Sequence, residues 1–599
     1  MKILLTAVNA KYIHSNPAIY SLRAYADSQL QPAIEIAEYT INNRMEDILA
    51  GIYRHKPDVI AISCYIWNWK MIEELLPEIG KVLPGVSIWL GGPEVSYNAE
   101  EVLHKHKAVT GIMVGEGEET FRQLARFYCD TTQQTMLNEI AGIVYREKDV
   151  ILRTEPRELT DLSSLPFLYY NMEPFENRII YYESSRGCPY RCSYCLSSID
   201  KRVRLRNMET VRKELQFFLD QRVRQVKFVD RTFNCNRTHA MEIWRFLMEH
   251  DNGITNFHFE IEADTLTEEQ LSLLAKMRPG LAQMEIGVQT FHPETLKEIR
   301  RTTDMDKLCY VVNRLREGHN IHIHLDLIAG LPCEDYETFR ESFNKVYALR
   351  PEQLQLGFLK VLKGSYMFEK AAEYKLQYLD NPPYEVLSTA WLSYEDVLRL
   401  KEVEEMVEIY YNSNQFVRTL RLLEQVCFDA FSLYEGLADF YREKGLFVQT
   451  PSRTYRYQVL YDFCMTTELS NWKELVQETL AYDLYLRENV KNRPAFIPAV
   501  TAQEEADFKR FSRRFYEQEE GEREILPDYA EYDSRQLAKM THMEFLRYPV
   551  WEEVALSDRK SLSAPVAVLF DYRHRDPLTD DARTVVLEVV EETGRGEKA

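Results

Sequence analysis

A short stretch in the middle of the chain decides how the fold is interpreted. Residues 179–195 read IIYYESSRGCPYRCSYC, an apolar run followed by a polar turn and then by three cysteines. Residues 179–183 are expected to form a buried strand, because the run is short and apolar and ends at turn-forming residues. Cys188, Cys192 and Cys195 would then lie on one loop at the carboxyl end of that strand.

Three cysteines on one loop are typical of a metal or cluster site in a reducing compartment. Three thiolates can hold three irons of a 4Fe-4S cluster and leave the fourth iron open to another ligand. The alternatives are a zinc site and three unrelated thiols. Zinc would need a fourth ligand, for which Cys235 and His239 are candidates, although neither shows paired ligand spacing. The spacing therefore favours the cluster.

The composition of the 599 residues is that of a globular protein, with 45% hydrophobic and 28% charged residues. No uninterrupted apolar stretch approaches the roughly 18–20 residues of a membrane span. The first residues carry one charge and a short apolar run without the layout of a cleavable signal. We therefore expect a cytoplasmic protein that does not contact a membrane.

The charge balance disfavours broad nucleic-acid binding, because a net charge of −21 repels phosphate backbones. A basic cluster nevertheless follows the cysteine loop. It would be a phosphate or RNA contact, an anchor for a cofactor carboxylate, or a solvated face. The negative net charge of the whole chain favours the solvated face. The cluster consists of Lys201, Arg202, Arg204, Arg206, Arg212 and Lys213.

The first 130 residues alternate short apolar runs with amphipathic stretches. The runs are residues 3–7, 34–39, 59–63, 86–90 and 109–114. Continuous apolar strands separated by helices indicate a parallel sheet covered on both faces, which is a doubly wound fold. Ligands of such sheets bind outside the carboxyl ends of the strands.

The whole chain is predicted to be an α/β protein with three main parts. Residues 1–135 form the doubly wound parallel-sheet domain, and 136–177 a hairpin and a Pro-punctuated linker. Residues 178–375 contain six strand–helix units, interpreted as a partial (β/α)6 TIM-type barrel with its site at the carboxyl ends of the strands. Residues 376–599 form a mostly helical C-terminal domain with one late strand at 566–570.

The C-x-x-x-C-x-aromatic-C pattern after a first barrel strand resembles the radical S-adenosylmethionine (SAM) superfamily. The resemblance implies that Cys188, Cys192 and Cys195 hold a 4Fe-4S cluster and that SAM chelates its open iron. One electron would then cleave SAM to a 5′-deoxyadenosyl radical. The resemblance also implies contacts with SAM along the barrel strands, from Tyr194, Asp230, Glu260, Glu262, Gln289, Leu327, Ile328 and Gly330.

Each part of that implied contact set has its own expected role. Glu260 and Glu262 would face ribose hydroxyls or the sulfonium, Leu327 and Ile328 would flank adenine, and Gly330 would allow close backbone approach. The alternative for each carboxylate is an ordinary charge partner at a strand end.

The segments Gly91-Gly92-Pro93-Glu94 and 114–120 (VGEGEET) resemble the cobalamin-binding domain that precedes many radical SAM barrels. A generic doubly wound domain with ordinary glycine turns is the alternative. The Asp-x-His-x-x-Gly motif that supplies a cobalt ligand is absent, because residues 9–16 read NAKYIHSN. His14 is therefore either a cobalt ligand or a histidine hydrogen-bonded near a helix start. The implied cobalamin contacts are Asn9, His14, Ser63, Gly91, Gly92, Pro93, Gly115, Glu116 and Gly117.

Nearly the full chain resembles a group of cobalamin-type radical SAM proteins with a C-terminal domain of unknown function. Residues 64–68 (CYIWN) and 357–364 (GFLKVLKG) contribute to this resemblance. It implies a cobalamin-dependent methyltransferase that acts on an unidentified small-molecule or peptide substrate, with rearrangement or ring contraction left open. A flavodoxin or ferredoxin would donate the electron. The alternatives are an RNA-modifying radical SAM enzyme without bound corrinoid, and a non-catalytic corrinoid or metal carrier.

Overall fold

The computed structural model describes residues 1–129, 136–199, 201–490, 493–497, 500–552 and 555–587. The chain divides into two compact units. The first comprises Met1–Phe339 and Gly357–Val397, and the second comprises Arg340–Leu356 and Leu398–Ala599. Every helix within these described residues is too short or too polar to cross a lipid bilayer.

A seven-stranded sheet forms the N-terminal part of the first unit, in the order β2-β1-β3-β4-β5-β6-β7. Strands β1 to β5 are parallel and match the five predicted runs, which confirms the doubly wound fold. The predicted hairpin, β6 and β7, joins this sheet in antiparallel pairing and extends the domain beyond residue 135. The strands are β1 (Ile3–Asn9), β2 (Ile34–Thr40), β3 (Val59–Ser63), β4 (Ser87–Gly91), β5 (Gly111–Met113), β6 (Ile143–Glu147) and β7 (Val150–Arg153).

Helices cover both faces of this sheet, because its inner strand β1 is buried on both faces. All seven residues of β1 are buried. Leu4 and Val8 pack into one hydrophobic cluster, while Ile3, Leu5 and Ala7 pack into another on the opposite face, as the two-residue repeat of a strand requires. The helices are α1 (Pro17–Tyr25), α2 (Met45–His55), α3 (Trp69–Val82), α4 (Pro93–Ser96), α5 (Ala99–Lys105) and α6 (Glu118–Cys129).

Gly92, at the carboxyl end of β4, has a backbone that tolerates only glycine. Its φ is +114°, and an added Cβ would overlap the carbonyl oxygen of Cys64. We expect Gly92→Ala to lower the free energy of unfolding by about 2–5 kcal/mol, through backbone strain and overpacking. Gly85 is the matched control, because its φ is +86° but nothing lies within 4 Å of an added Cβ. Gly85→Ala should cost only about 1–2 kcal/mol in urea unfolding, and equal losses for the two variants would contradict the role given to Cys64.

The second sheet is a partial barrel of six strands in the order β15-β14-β13-β12-β11-β8, as predicted, and strands β8 and β11 to β14 pair in parallel. The carboxyl end of the last strand lies beside β14, where the Leu359 N–H donates to the Ala329 oxygen over 2.9 Å. Strands β9 and β10 form a separate antiparallel pair next to the cysteine loop. The strands are β8 (Ile180–Tyr182), β9 (Ser185–Arg186), β10 (Arg204–Leu205), β11 (Gln225–Phe228), β12 (Asn256–Ile261), β13 (Ala282–Gln289), β14 (Ile321–Ala329) and β15 (Gln353–Phe358).

Helices follow the barrel strands along the chain, and their capping residues mark where they begin. Asn207 and Asn236 accept hydrogen bonds from the first turns of two of them, and Thr267 forms a capping box with Gln270. The helices are α7 (Met208–Asp220), α8 (Arg237–Glu249), α9 (Glu268–Leu274), α10 (Pro293–Glu298), α11 (Met305–Glu317) and α12 (Tyr336–Ala348). Residues 357–397 add α13 (Tyr366–Glu369), β16 (Gln377–Tyr378) and β17 (Val386–Ser388).

The C-terminal unit is mostly helical, as predicted, but it has three late strands where one was expected. Strands β18, β19 and β20 form an antiparallel sheet. Two were missed because their sequences mix polar and apolar residues, and β18 even buries Glu544. The elements are α14 (Tyr394–Met406), α15 (Val417–Glu424), α16 (Ala430–Glu443), α17 (Leu446–Gln449), α18 (Arg453–Cys464), α19 (Lys473–Arg487), α20 (Ala502–Glu522), α21 (Ser534–Met540), β18 (Thr541–Leu546), β19 (Val566–Arg575) and β20 (Ala582–Leu587).

Candidate active site

The three predicted cluster cysteines lie on the loop that follows β8 and β9. Cys188 and Cys192 are each 8% exposed, and Cys195 is partly buried. The loop is fixed to the barrel at its centre, where the Ser193 N–H donates to the Ile299 oxygen over 3.0 Å. The cysteines are therefore held at the carboxyl edge of the barrel, partly shielded from water.

The donor set of the cysteine loop is three thiols. Among the described residues, no three His, Cys, Asp or Glu side chains converge on a point where one metal ion would sit. A 4Fe-4S cluster instead binds each thiolate to a different iron, so its cysteines stand further apart. The donor set of the loop therefore fits the 4Fe-4S group.

Arg301 is a charged neighbour of the loop that the sequence analysis did not find. Its Nη1 lies 3.9 Å from the Cys192 sulfur, and its Nη2 donates to both carboxylate oxygens of Glu262 at 2.9 and 3.0 Å. Burial raises the pKa of the Cys192 thiol, and the guanidinium charge acts against that rise. Arg301 thus favours the thiolate that an iron ligand must be.

Asp230 positions the segment that leads into the cysteine loop, and its implied contact with SAM stays a prediction. It is fully buried, and its carboxylate accepts hydrogen bonds from the N–H of Ser184 (2.8 Å) and the hydroxyls of Ser184 (2.7 Å) and Ser185 (2.5 Å). Burial raises its pKa to about 7. The carboxylate is fully used in holding the segment that leads into Cys188.

The two glutamates of the third barrel strand have different surroundings. Glu262 is buried and is held by Arg301 and by the Thr303 hydroxyl at 3.1 Å, so the protein already uses much of its acceptor capacity. Within the described residues Glu260 makes no hydrogen bond, and its contact with the Lys227 nitrogen is long, at 3.9 Å. Of the two, Glu260 is the more available to a ligand.

Leu327 and Ile328, which were expected to flank adenine, face opposite sides of β14 because side chains alternate along a strand. Ile328 packs in one hydrophobic cluster with Tyr194, close to the cysteine loop. Leu327 is fully buried on the opposite face of the strand, and its expected contact with adenine stays a prediction. Gly330 has a φ of +89°, and an added Cβ would lie 2.7 Å from Val386, so its small size serves the turn and this packing.

The carboxyl ends of β1 and β3 carry a hydrogen-bonded polar cluster. The Asn9 amide donates to Glu38 (2.8 Å) and to the His14 carbonyl oxygen (3.1 Å), and the Asn16 amide donates to the Ser63 hydroxyl (3.0 Å). Arg178, which precedes the barrel, also donates to Glu38 at 2.8 Å. The cluster thus ties the first sheet to the barrel.

His14 is a link between the first sheet and the barrel. Its Nδ1 lies 2.5 Å from the Tyr181 hydroxyl of β8, and its backbone bridges to Ile179. Partial burial lowers its pKa, and the charges of Lys11 and Lys227 act in the same direction. The contact supports the alternative of a hydrogen-bonded histidine, and a role towards cobalt stays a prediction.

Most of the glycines expected to admit a planar ligand are packed closely against other residues of the protein. Gly92 packs on Cys64 as described, with Pro93 starting α4 behind it, and an added Cβ at Gly91 would lie 3.3 Å from Met113. An added Cβ at Gly117 would lie 3.1 Å from the Leu22 side chain. Gly115 alone has open space around it, with a φ of +82°.

Most residues of the basic cluster that follows the cysteine loop form ion pairs with carboxylates of the chain. Arg204 pairs with Glu116, which also accepts from the Thr160 N–H at 2.8 Å, and these partners lower the pKa of Glu116 to about 2 despite burial. Arg206 forms a buried pair with Glu214 at 2.6 Å. Arg212 and Lys213 pair on the surface with Glu242 and Glu209. Glu116 is therefore a tie to the barrel, which leaves its predicted cobalamin contact without support.

A stacked aromatic pair, of which Trp67 is exposed and Tyr65 is half-buried, lies at the carboxyl end of β3. The rings of Tyr65 and Trp67 stack at 4.4 Å and 8°, and Trp67 is 44% exposed. Tyr12 and Ile13, after β1, are also exposed. Large apolar side chains exposed at the ligand-binding edge of a doubly wound sheet suit a broad planar ligand such as a corrin. The residues present at this edge therefore fit cobalamin.

Family models match all three parts of the chain. Residues 182–346 match the radical SAM superfamily, residues 3–125 match the B12 binding domain, and residues 372–570 match a protein of unknown function, DUF4080. The chain therefore combines a radical SAM domain with an N-terminal B12-binding domain and a C-terminal DUF4080 domain.

Curated proteins and solved structures that resemble this chain are described as radical SAM proteins. The chain is 24% identical over 478 residues to the cobalamin-dependent radical SAM methyltransferase TokK of Streptomyces tokunonensis, covering 70% of this chain and 67% of TokK. The fold resembles the methyltransferase TsrM of Kitasatospora setae, with a TM-score of 0.52 and 18% identity over 64% of this chain and 80% of TsrM. It also resembles OxsB, a cobalamin-dependent radical enzyme, with a TM-score of 0.50 and 16% identity over 80% of each chain.

These matches confirm the predicted class of enzyme and its cofactors: a 4Fe-4S cluster and SAM for the barrel, and cobalamin for the first domain. The class uses a small-molecule substrate and a reductant. The role of each individual contact residue stays a prediction.

Proposed function

We propose that this protein transfers a methyl group from SAM, by way of cobalamin, to a substrate held at the mouth of the barrel. The observation that carries the proposal is that both cofactor edges face each other in one compact unit. Arg186 of β9 donates to Glu118 of the first domain at 2.8 Å, and Tyr384 donates to Glu94. Together with the link between His14 and Tyr181, these contacts hold the carboxyl ends of both sheets together.

When bound, the cluster supplies an electron for cleavage of SAM, and the corrinoid carries the methyl group. The chain's own residues supply position and shielding. Asp230 fixes the segment that leads into Cys188, and Arg301 places a positive charge beside Cys192. Ile328 and Tyr194 provide an apolar surface next to the cysteine loop. Glu260 is the carboxylate with free acceptor capacity for SAM, and Tyr65 with Trp67 offers the flat surface for cobalamin.

The electron donor is proposed to be a flavodoxin or a ferredoxin, because the chemistry needs one electron at a time and these proteins supply single electrons at low potential. An RNA substrate is less favoured. Four of the six basic residues after the cysteine loop pair with carboxylates of the chain, which leaves few of them to contact phosphates.

The test is anaerobic reconstitution with iron, sulfide and hydroxocobalamin, followed by reduction and addition of SAM with a deuterated methyl group. We expect about four irons per chain, formation of 5′-deoxyadenosine, and deuterated methyl on the protein-bound cobalamin. Tightly bound zinc without iron would overturn the proposal. A loaded protein that forms 5′-deoxyadenosine without labelling cobalamin would instead indicate a radical enzyme that does not transfer methyl, and a loaded protein with no turnover would indicate a carrier.

A further inference from the structure

The C-terminal unit contains a cavity of about 800 Å³ beside its antiparallel sheet. Four consecutive residues of β18, 542–545, line the cavity together with side chains of α20 and α21. Within the described residues the order of the sheet is β18-β19-β20, so β18 is an edge strand. Successive side chains of a strand point to opposite faces of its sheet. A cavity that contacts four successive residues therefore borders the open edge of β18 as well as its faces.

The backbone of Thr541 shows which residues face this open edge. Its N–H donates to the Leu537 oxygen near the end of α21, and its carbonyl oxygen accepts from the Asn489 amide at 3.4 Å. Both groups thus point away from β19. In an antiparallel pair, residues that direct their backbone groups to the partner strand alternate with residues that direct them outward. Met543 and Phe545 therefore face the open edge, like Thr541.

The edge is occupied by the protein itself at Thr541 but is open at Met543 and Phe545. In the part of the chain that the structure describes, the outward N–H and C=O groups of these two residues have no protein partner. Sheets commonly block such an edge with a proline or a β-bulge. The sequence of β18, THMEFL, contains no proline, and its register with β19 is uninterrupted. Two donors and two acceptors at two-residue spacing match the backbone of an extended peptide.

The walls of the cavity offer an aromatic surface on each face of β18. On one face, the Phe545 ring stacks on Phe508 of α20 at 3.8 Å and 5°. On the other face, the His542 ring stacks on Tyr485 of α19 at 3.7 Å and 17°. A strand added at the edge would place its alternate side chains over these two surfaces.

The charged side chains of the lining leave one cation unpaired. Three of the four Lys and Arg residues pair with the three carboxylates of the lining. The pairs are Lys509 with Glu505 (2.6 Å), Arg513 with Glu517 (2.8 Å) and Arg493 with Glu544 (2.9 Å). The fourth, Arg535 of α21, is exposed and has no carboxylate partner among the described residues. The cavity therefore favours a peptide that carries a carboxylate.

We propose that the open edge of β18 binds an extended, acidic peptide segment, which adds to the sheet as a further strand. Main-chain hydrogen bonds with Met543 and Phe545 provide affinity, and Arg535 selects a carboxylate. The edge lies within the DUF4080 match, at residues 372–570, so the proposal gives this domain a role in peptide recognition. It is independent of the proposed methyl transfer, because binding requires no turnover.

The test is equilibrium dialysis of the full chain against a pool of acetylated hexapeptides, read by mass spectrometry. The pool has glutamate at one fixed position, valine at two alternate positions and all amino acids at the others. A second pool has lysine in place of glutamate. We expect retention from the glutamate pool alone, although the net charge of −21 favours the lysine pool. Equal retention from both pools, or none, would overturn the proposal.

Backbone methylation of the tightest peptide tests the strand addition directly. In an added strand, only every second residue directs its N–H to the edge. We expect N-methylation at one alternate set of positions to weaken binding by about tenfold or more, and methylation at the other set to be tolerated. The same loss at every position, or at none, would mean that the peptide does not pair with β18.

Met543→Pro removes an outward N–H without removing a bond to β19, so it should weaken peptide binding by about tenfold. Met543→Ala is the matched control, because it keeps the N–H. Arg535→Ala should weaken binding by about threefold. Arg510→Ala should not weaken it, because Arg510 is exposed on α20 and pairs with Asp507 at 3.2 Å. Equal losses for the two Met543 variants would contradict main-chain recognition. If Met543→Pro does not fold, the methylation pattern decides.

Discussion

Cys192→Ala should abolish iron binding and 5′-deoxyadenosine formation, while Cys235→Ala should keep both. Cys192 is one of three loop thiols, and two thiols cannot hold the open-iron cluster that SAM requires. Its neighbour Arg301 lies 3.9 Å from the sulfur and favours the thiolate. We expect iron content near background in the variant after reconstitution, measured with the cluster's visible absorbance.

Cys235 is the informative control, because it lies close enough to Cys188 for their charges to interact. Burial raises the pKa of Cys235 to about 11, so its thiol stays protonated at neutral pH. Cys188→Ala and Cys195→Ala should behave like Cys192→Ala. If Cys235→Ala also lost its iron, the site would have four protein ligands and no open position, and the assignment to SAM chemistry would fail.

The sequence was sufficient for the framework of both sheets. The apolar runs at 3–7 and 59–63 and the strand at 179–183 all form where expected, because strands buried on both faces need continuous apolar runs whatever their neighbours are. The loop with Cys188 could likewise be placed, since its spacing is local. The hairpin at β6 and β7 was recognised, but the sheet that it joins was not, because strand partners are set by tertiary packing.

The contacts that define the site were less accessible to sequence reasoning. Asp230 was assigned to the cofactor, and only the fold shows that Ser184 and Ser185 occupy it. Residues 321–327 read IHIHLDL, a strict two-residue alternation. It places His324 and Asp326 on one face and Leu327 on the other, so the sequence itself predicts that Leu327 is buried on the face opposite Asp326.

Arg301→Met should lower the free energy of unfolding by about 3–5 kcal/mol, the usual cost of leaving one member of a buried ion pair alone. The side chains of Arg301 and Glu262 are 10% and 8% exposed. No sequence pattern joins them, since they lie on different elements. Urea unfolding followed by tryptophan fluorescence measures the loss. Arg314→Met is the matched control, because its pair with Glu317 lies on the surface and should contribute under about 1 kcal/mol.

The loss in Arg301→Met should depend on pH with a definite sign. Burial already raises the pKa of Glu262, and removing the guanidinium removes a charge that lowers it. A carboxyl whose folded pKa lies above its unfolded value keeps its stability below the unfolded pKa and loses it as the pH rises through the folded pKa. The deficit should therefore be larger at about pH 8 than at about pH 5. Adding Glu262→Gln to Arg301→Met should recover about 1–3 kcal/mol and remove the pH dependence. Simple additivity of the two substitutions would mean that the pair is not coupled, and Arg301 would then act on Cys192 alone.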